Sequence, residues 1–342
     1  MKYKVSVIMP IYNAEKHLDN TIKSIINQSI GFENIELILV DDSSKDNSKN
    51  IIESYCEKYN NILPYYSEKN HGHPGFGRNI GLKKATSEYI MFIDNDDEYD
   101  KDMCKTLYET IIRENADVVV CGRLKLDKLG NIEEKIPIIK GIKKNEMVFL
   151  ENDDLFYFNS HIILNKIFRK EIITLNNLKF HENSRLDDDM FTWDYYINSK
   201  KLVYLTNYYG YYWNVRSDSL SHTNPEKYIP EFIECILYEY NQLKKENKQQ
   251  HITYRAKNAI NGMLIESSYA KLKYNEFKNL LIKIHDFEKE INFNGNINSN
   301  WFGPINKLIL REYYNIAIIL LKTIATLRRV TLFRKINRKM KQ

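Results

Sequence analysis

Residues 90–97 read Ile-Met-Phe-Ile-Asp-Asn-Asp-Asp, an apolar run that stops at three carboxylates. The run fits a buried strand, and packing gives no reason to put acids at its carboxyl end. A divalent cation carrying a diphosphate does need such oxygens. The feature therefore restricts the chain to folds in which a buried strand delivers polar groups to a ligand.

The preceding sequence repeats the pattern. Residues 4–10 (KVSVIMP) and 35–40 (IELILV) are short apolar runs rich in β-branched residues. The first is followed by Tyr12-Asn13, the second by Asp41-Asp42-Ser43-Ser44. Between them, residues 14–28 place Leu18, Ile22, Ile25 and Ile26 at helical spacing, and residues 46–59 do the same with Ile51, Ile52 and Tyr55. Further strands are expected over 62–66 and 117–120. The alternation of strand and helix predicts an α/β doubly wound, mainly parallel sheet, with its ligand crevice beyond the carboxyl ends of the strands. Tyr12, Asp41-Asp42 and Asp94-Asn95-Asp96 then converge on one crevice.

Four motifs occur in order along this stretch: P-x-Y-N at 10–13, V-D-D-x-S at 40–44, G-R-N-x-G at 77–81 and D-N-D-D at 94–97. Together they resemble the family 2 glycosyltransferases of the GT-A fold, in the form found on bacterial cell-surface glycans. The resemblance covers about residues 3–125. It returns at 186–193 (LDDDMFTW) and 212–221 (YWNVRSDSLS), and fades beyond 225. It implies an inverting, metal-dependent transferase that moves a sugar from a UDP-sugar to a hydroxyl of a cell-surface glycan or lipid-linked oligosaccharide. On that footing Asp96 ligates Mn2+ or Mg2+, Asp94 contacts the donor's ribose or sugar, and Asp97 orients them or binds the metal through water. Tyr12 stacks beneath the base and Asp42 accepts from the uracil imide, while Asp41 holds the loop and Pro10 and Asn95 complete the nucleotide-sugar site. Arg78 opens a helix after the loop NHGHPGFG and suits a diphosphate. Asp188 is the base, its pKa raised by the neighbouring Asp187 and Asp189. Arg216, with Ser219 and Ser221, belongs to a loop closing over the phosphates. His222 is read as structural.

Competing motifs fail on particular residues. Gly75, Gly77 and Gly81 miss the dinucleotide fingerprint because position 80 is Ile, and Tyr99 stands where a calcium loop needs Gly. A sugar nucleotidyltransferase expects a glycine-rich basic loop after the first strand, where this chain has PIYNAEKHL. A non-catalytic glycan-binding protein with the same fold has no need of Asp94, Asp96 and Asp188.

Charge and cysteine usage narrow the rest. Residues 305–342 hold ten Lys or Arg against one acid, so this segment carries +9 of a chain whose net charge is +5 and the remainder is −4. A nucleic-acid-binding body is excluded on that distribution. The basic segment has apolar residues at helical spacing, as expected of a helix on an anionic membrane surface, or of one packed on its own domain or on a second subunit of a homo-oligomer. Four scattered cysteines without a C-x-x-C pair, no signal-like start and no apolar span predict a cytoplasmic protein at the inner face of the membrane. The expected division is a catalytic domain over 1–224, a helical extension over 225–303 and a basic amphipathic helix over 304–342.

Overall fold

The computed structural model describes residues 3–127, 129–137, 147–151, 162–214, 225–247, 252–269, 272–293 and 302–339. It begins with β1 (Val5–Ile11), α1 (Leu18–Ile26), β2 (Ile35–Asp41), α2 (Ser48–Cys56), β3 (Ile62–Tyr66) and α3 (Pro74–Lys84). Then come β4 (Tyr89–Phe92), β5 (Glu98–Tyr99), α4 (Met103–Arg113), β6 (Val118–Leu126), β7 (Ile132–Ile136) and β8 (Met147–Glu151). β9 (Lys166–Arg169), α5 (Lys170–Leu175), α6 (Asp187–Ile197) and β10 (Lys201–Asn214) complete the first part. Five helices follow: α7 (Pro225–Lys245), α8 (Ile252–Tyr269), α9 (Tyr274–Glu290), α10 (Phe302–Leu310) and α11 (Tyr314–Lys339).

All the strands join one sheet in the order β3-β2-β1-β4-β9-β6-β10-β5, with β7 added on β6 and β8 on β10. β1 and β2 are buried at every position, as their largely apolar sequences require of strands covered on both faces, and the buried Glu36 is matched by the hydroxyls of Ser6 and Thr86. They pair in parallel from Val5 opposite Ile35 to Ile11 opposite Asp41, and β1 also pairs in parallel with β4. The expected α/β fold is thus present, and its helices bury the predicted faces: Leu18, Ile22 and Ile25 on α1, Ile52 and Tyr55 on α2. One strand departs from the doubly wound pattern. β9 runs antiparallel between β4 and β6, pairing Ile90 and Val118 on either side of Phe168.

Two features position the carboxyl ends. α3 lies close on β1 because of its glycines: a Cβ on Gly81 would come within 2.2 Å of Ile8 Cγ2, and one on Gly77 within 3.1 Å of Pro10 Cβ. β10 changes register against β6 between Leu205 and Tyr211, then pairs antiparallel with the two-residue β5. That irregularity turns Tyr211 and Asn214 toward the acidic turn after β4.

The chain divides into two compact units, Met1–Ser219 and Leu220–Gln342. The second is helical, with Phe277, Leu281, Ile284, Ile305, Ile309 and Leu321 in its core. The segment read from sequence as one C-terminal helix is two. α10 ends with Glu312 in the left-handed region (φ 63°), Tyr313 N–H donating back to Leu308 O at 2.9 Å and Glu312 N–H to Ile309 O at 2.8 Å. This is the six-to-one and five-to-two hydrogen-bond pair that stops helices, made here without the usual glycine. All four cysteines are free. No helix among the described residues is long and apolar enough to cross a membrane.

Candidate active site

The strand ends do meet. After β4 the chain turns through Asp94, Asn95, Asp96 and Asp97, and ligand oxygens of Asp94, Asp96 and Asp97 lie within 4.8 Å of one another. The three acids are not equivalent. Asp97 is buried, and both its oxygens are taken, one by Tyr211 Oη–H at 2.5 Å and the other by Asn214 N–H at 2.9 Å. Burial first, then the neighbouring Asp96 and Asp94, hold its carboxyl well above the usual carboxylate range. It anchors β10 to the turn. Asp94 and Asp96 are half-buried and line the open side. Hard oxygen donors on a short turn fit Mn2+ or Mg2+, which take carboxylates and retain positions for phosphate oxygens. Asn95 reaches the other way and donates to Pro10 O at 3.1 Å, tying the turn to the end of β1.

The ends of β1 and β2 interlock beside it. Asn13 and Ser43 both have positive φ, 48° and 63°. Asn13 N–H donates to Ser44 Oγ and Lys45 N–H to Asn13 Oδ1. Asp41 is buried and accepts from Ser44 Oγ–H at 2.5 Å and Ser44 N–H at 3.2 Å, so it shapes this loop. Asp42 accepts the backbone N–H of His71 on Oδ2 and lies 2.8 Å from its Nδ1 on Oδ1. His71 in turn stacks on Phe76 with ring centres 3.5 Å apart. Tyr12 stands 46% exposed, its ring open to stacking. His71 was visible in sequence only as part of a histidine-containing loop; nothing in its spacing linked it to Asp42, 29 residues earlier.

The α6 acids come from more than 90 residues downstream of the turn. Arg78, on α3 and 4% exposed, donates to Asp187 Oδ2 at 2.8 Å and to Asp94 Oδ1 at 3.0 Å. The guanidinium expected to face a diphosphate therefore joins the metal-side acids to the helix carrying the candidate base. Asp187 is buried, and burial raises its carboxyl even though Arg78 pulls it back. Asp188 has no ion-pair partner among the described residues. Burial, followed by Asp189 and Asp187, raises its carboxyl well above the ordinary range, as suits a group that must accept a proton. Arg216, Ser219, Ser221 and His222 lie outside the described residues.

Two cations that no motif marked also face this acid cluster. Arg123 on β6 stands in the field of Asp97 and Asp188. Lys166 on β9 is fully buried, and burial together with Arg123 pulls its ammonium down to about 7.

Comparison with known proteins is consistent with this geometry. Residues 6–171 match the profile "Glycosyl transferase family 2". Over 211 residues the chain is 32% identical to the poly(ribitol-phosphate) beta-N-acetylglucosaminyltransferase TarP of Staphylococcus aureus, a match spanning 61% of this chain and 62% of TarP. It is 30% identical to glycosyltransferase GlyG of Streptococcus pneumoniae over 230 residues, 65% of this chain and 74% of GlyG. Its fold is similar to the crystal structure of S. aureus TarS residues 1–349 in complex with UDP-GlcNAc, with a TM-score of 0.71 at 22% identity, over 94% of this chain and 92% of that one.

Proposed function

The chain belongs to the family 2 glycosyltransferases, and on that footing we propose that it is an inverting, metal-dependent enzyme moving a sugar from a UDP-sugar to a hydroxyl of a cell-surface polymer. The observation that carries this reading is the Asp94–Arg78–Asp187 ion-pair bridge. It draws the acidic turn and the amino end of α6 to the same guanidinium, so donor-side and acceptor-side groups share one crevice. Tyr12 offers a face to the uracil, and Asp42, oriented by His71, an acceptor for its imide. Asp96 would hold the cation, which when bound supplies positive charge to the departing diphosphate, and Asp94 beside it would contact the donor's ribose or sugar. Asp188 takes the acceptor proton as its hydroxyl attacks the anomeric carbon from the far face. Inversion follows from the family resemblance and from this single displacement.

Relatives named for poly(ribitol-phosphate) favour a polyol-phosphate or similar wall polymer as acceptor, with neutral glycans and lipid-linked oligosaccharides the alternatives. The basic C-terminal helix supports work at the inner face of the membrane. On α11, Ile316, Ile319, Leu320 and Leu327 are all exposed along one side. The test is UDP release from a panel of UDP-sugars with and without Mn2+. Release from at least one donor that chelation abolishes is the expected result; no release from any of them, with intact fold, rejects the reading.

A further inference from the structure

α3 grips the stretch of chain that leads into α6. Asn79 Nδ2 donates to Phe180 O at 2.9 Å and to Glu182 Oε1 at 2.9 Å, while Phe180 N–H donates to Asn79 Oδ1 at 2.8 Å. Next to Asn79, Arg78 donates to Asp187 at the start of α6, with its guanidinium carbon 5.4 Å from the centre of the Phe180 ring. Phe180 stacks on Phe191 of α6, ring centres 4.0 Å apart, and both rings meet Phe92 edge-on at the end of β4. Gly75 permits the approach: a Cβ there would come within 3.0 Å of Asp187 Oδ2, 3.2 Å of His181 O and 3.4 Å of Phe180 Cβ.

This packing occupies the place that the sequence suggests for a diphosphate. Asp187 puts its carboxylate beside the first turn of α3, the positive end of that helix, so a protein anion already fills a position that suits a phosphate. Arg78 is 4% exposed, each of its terminal nitrogens is held by a carboxylate, and its Nε is buried without a partner among the described residues. A phosphate could reach the guanidinium only by displacing Asp94 or Asp187, and the carboxylate that remained would repel it. Asp187, at 2% exposed, is the harder of the two to displace, because a buried charge left unpaired is costly. The proposed base is the next residue, so the seating of α6 on α3 sets where Asp188 stands.

We propose that Arg78 is a positioning residue: with Gly75 and Asn79 it seats the amino end of α6 so that Asp188 meets the acceptor hydroxyl, and the donor diphosphate is left to the cation at Asp96. The inference rests on the glycosyltransferase reading above and reassigns one residue within it.

The test compares Gly75→Ala, Arg78→Gln and the double variant Arg78→Gln, Asp187→Asn with the wild type. Calorimetric titration with UDP in the presence of Mn2+ should give affinities within about threefold of wild type for all three, whereas loss of a direct Arg–phosphate hydrogen bond would weaken UDP about ten- to a hundredfold. Amide hydrogen exchange of residues 180–190 should quicken at least about tenfold in Gly75→Ala and Arg78→Gln. With the donor that the wild type turns over fastest, kcat for UDP release should fall at least about tenfold in these two, at a KM within about threefold. The double variant removes the carboxylate that Arg78→Gln leaves buried and unpaired, so it should be better protected and more active than Arg78→Gln. A tenfold or greater loss of UDP affinity in Arg78→Gln would make Arg78 a phosphate ligand and overturn the proposal. Faster exchange with kcat unchanged would overturn it too, by leaving the contact purely structural. If Arg78→Gln does not fold, Gly75→Ala and the double variant carry the same comparisons. A wild type that releases UDP from no donor rejects the glycosyltransferase reading, while exchange and UDP affinity still decide between a seat for α6 and a phosphate ligand.

Discussion

Asp187 and Asp188 are adjacent in sequence and differ in role because one of them meets Arg78. Asp188→Asn should retain UDP-sugar binding and lose transfer, and in the wild type the acidic limb of the pH–rate profile should lie above the ordinary carboxylate range, since burial raises this carboxyl. Asp187→Asn should act differently. It removes a charge from a buried pair, leaving Arg78 with Asp94 alone, at a cost of about 3 kcal/mol read as a lower Tm. If Asp187→Asn is instead stable and inactive while Asp188→Asn transfers sugar, the two roles are reversed. Asp96→Ala should leave the fold intact and abolish turnover; retention of more than about a tenth of the activity, a barrier change near 1.4 kcal/mol, would exclude it as the cation's ligand. Spacing alone marked all of these acids. It could not assign them, because the deciding partner of Asp187 lies 109 residues upstream.

Between elements, the helical unit holds a polar contact in its core. Asn306 on α10 donates to Glu288 on α9 at 2.6 Å, and both residues are fully buried. Burial pushes the Glu288 carboxyl up to about 7 from its ordinary 4.5. The folded state therefore binds this proton more tightly than the unfolded chain. Its contribution to stability is complete below about pH 4.5 and is lost as pH rises through about 7. Thermal unfolding of the full chain between pH 5 and 8 should show Tm falling over that window, and Glu288→Gln should flatten the fall. A wild-type profile as flat as the variant's would rule the contact out as its source. The break between α10 and α11 belongs to this scale too: Glu312 occupies a position that usually signals itself as glycine, so periodicity alone reads straight through it.

For the whole molecule the open question is what the basic segment meets. Removing residues 305–342 does not isolate that question, because Ile305, Ile309 and Leu321 lie in the core of the helical unit and truncation would unfold it. Ile316 and Ile319 are 50% and 65% exposed and can be changed without that damage. The double substitution Ile316→Asp, Ile319→Asp should leave Tm nearly unchanged and reduce sedimentation with anionic vesicles at least about tenfold, the loss expected for two aliphatic side chains that no longer enter the interface. Wild-type binding should weaken with salt and be slight on neutral vesicles. Equal sedimentation of variant and wild type would remove the membrane role, and concentration-dependent light scattering that the variant abolishes would assign the stripe to a second copy of the chain.

Local chemistry was enough to read the sheet and to single out the acids at its strand ends, because a strand buried on both faces is mostly apolar and a polar residue at its end can serve something outside the core. Short-range periodicity likewise located α1, α2 and α7 but read through the breaks that separate α8 from α9 and α10 from α11. The antiparallel course of β9, the interlocking of Asp97 with Tyr211 and Asn214, and the pairing of Arg78 with Asp187 were not legible in that way. Each depends on which distant segment arrives at the same place, and hydrogen bonding and charge pairing act at a few ångströms in space whatever the separation along the chain. Arg123 and Lys166 make the same point: they form no motif in sequence, and come near each other only where β6 and β9 are brought together.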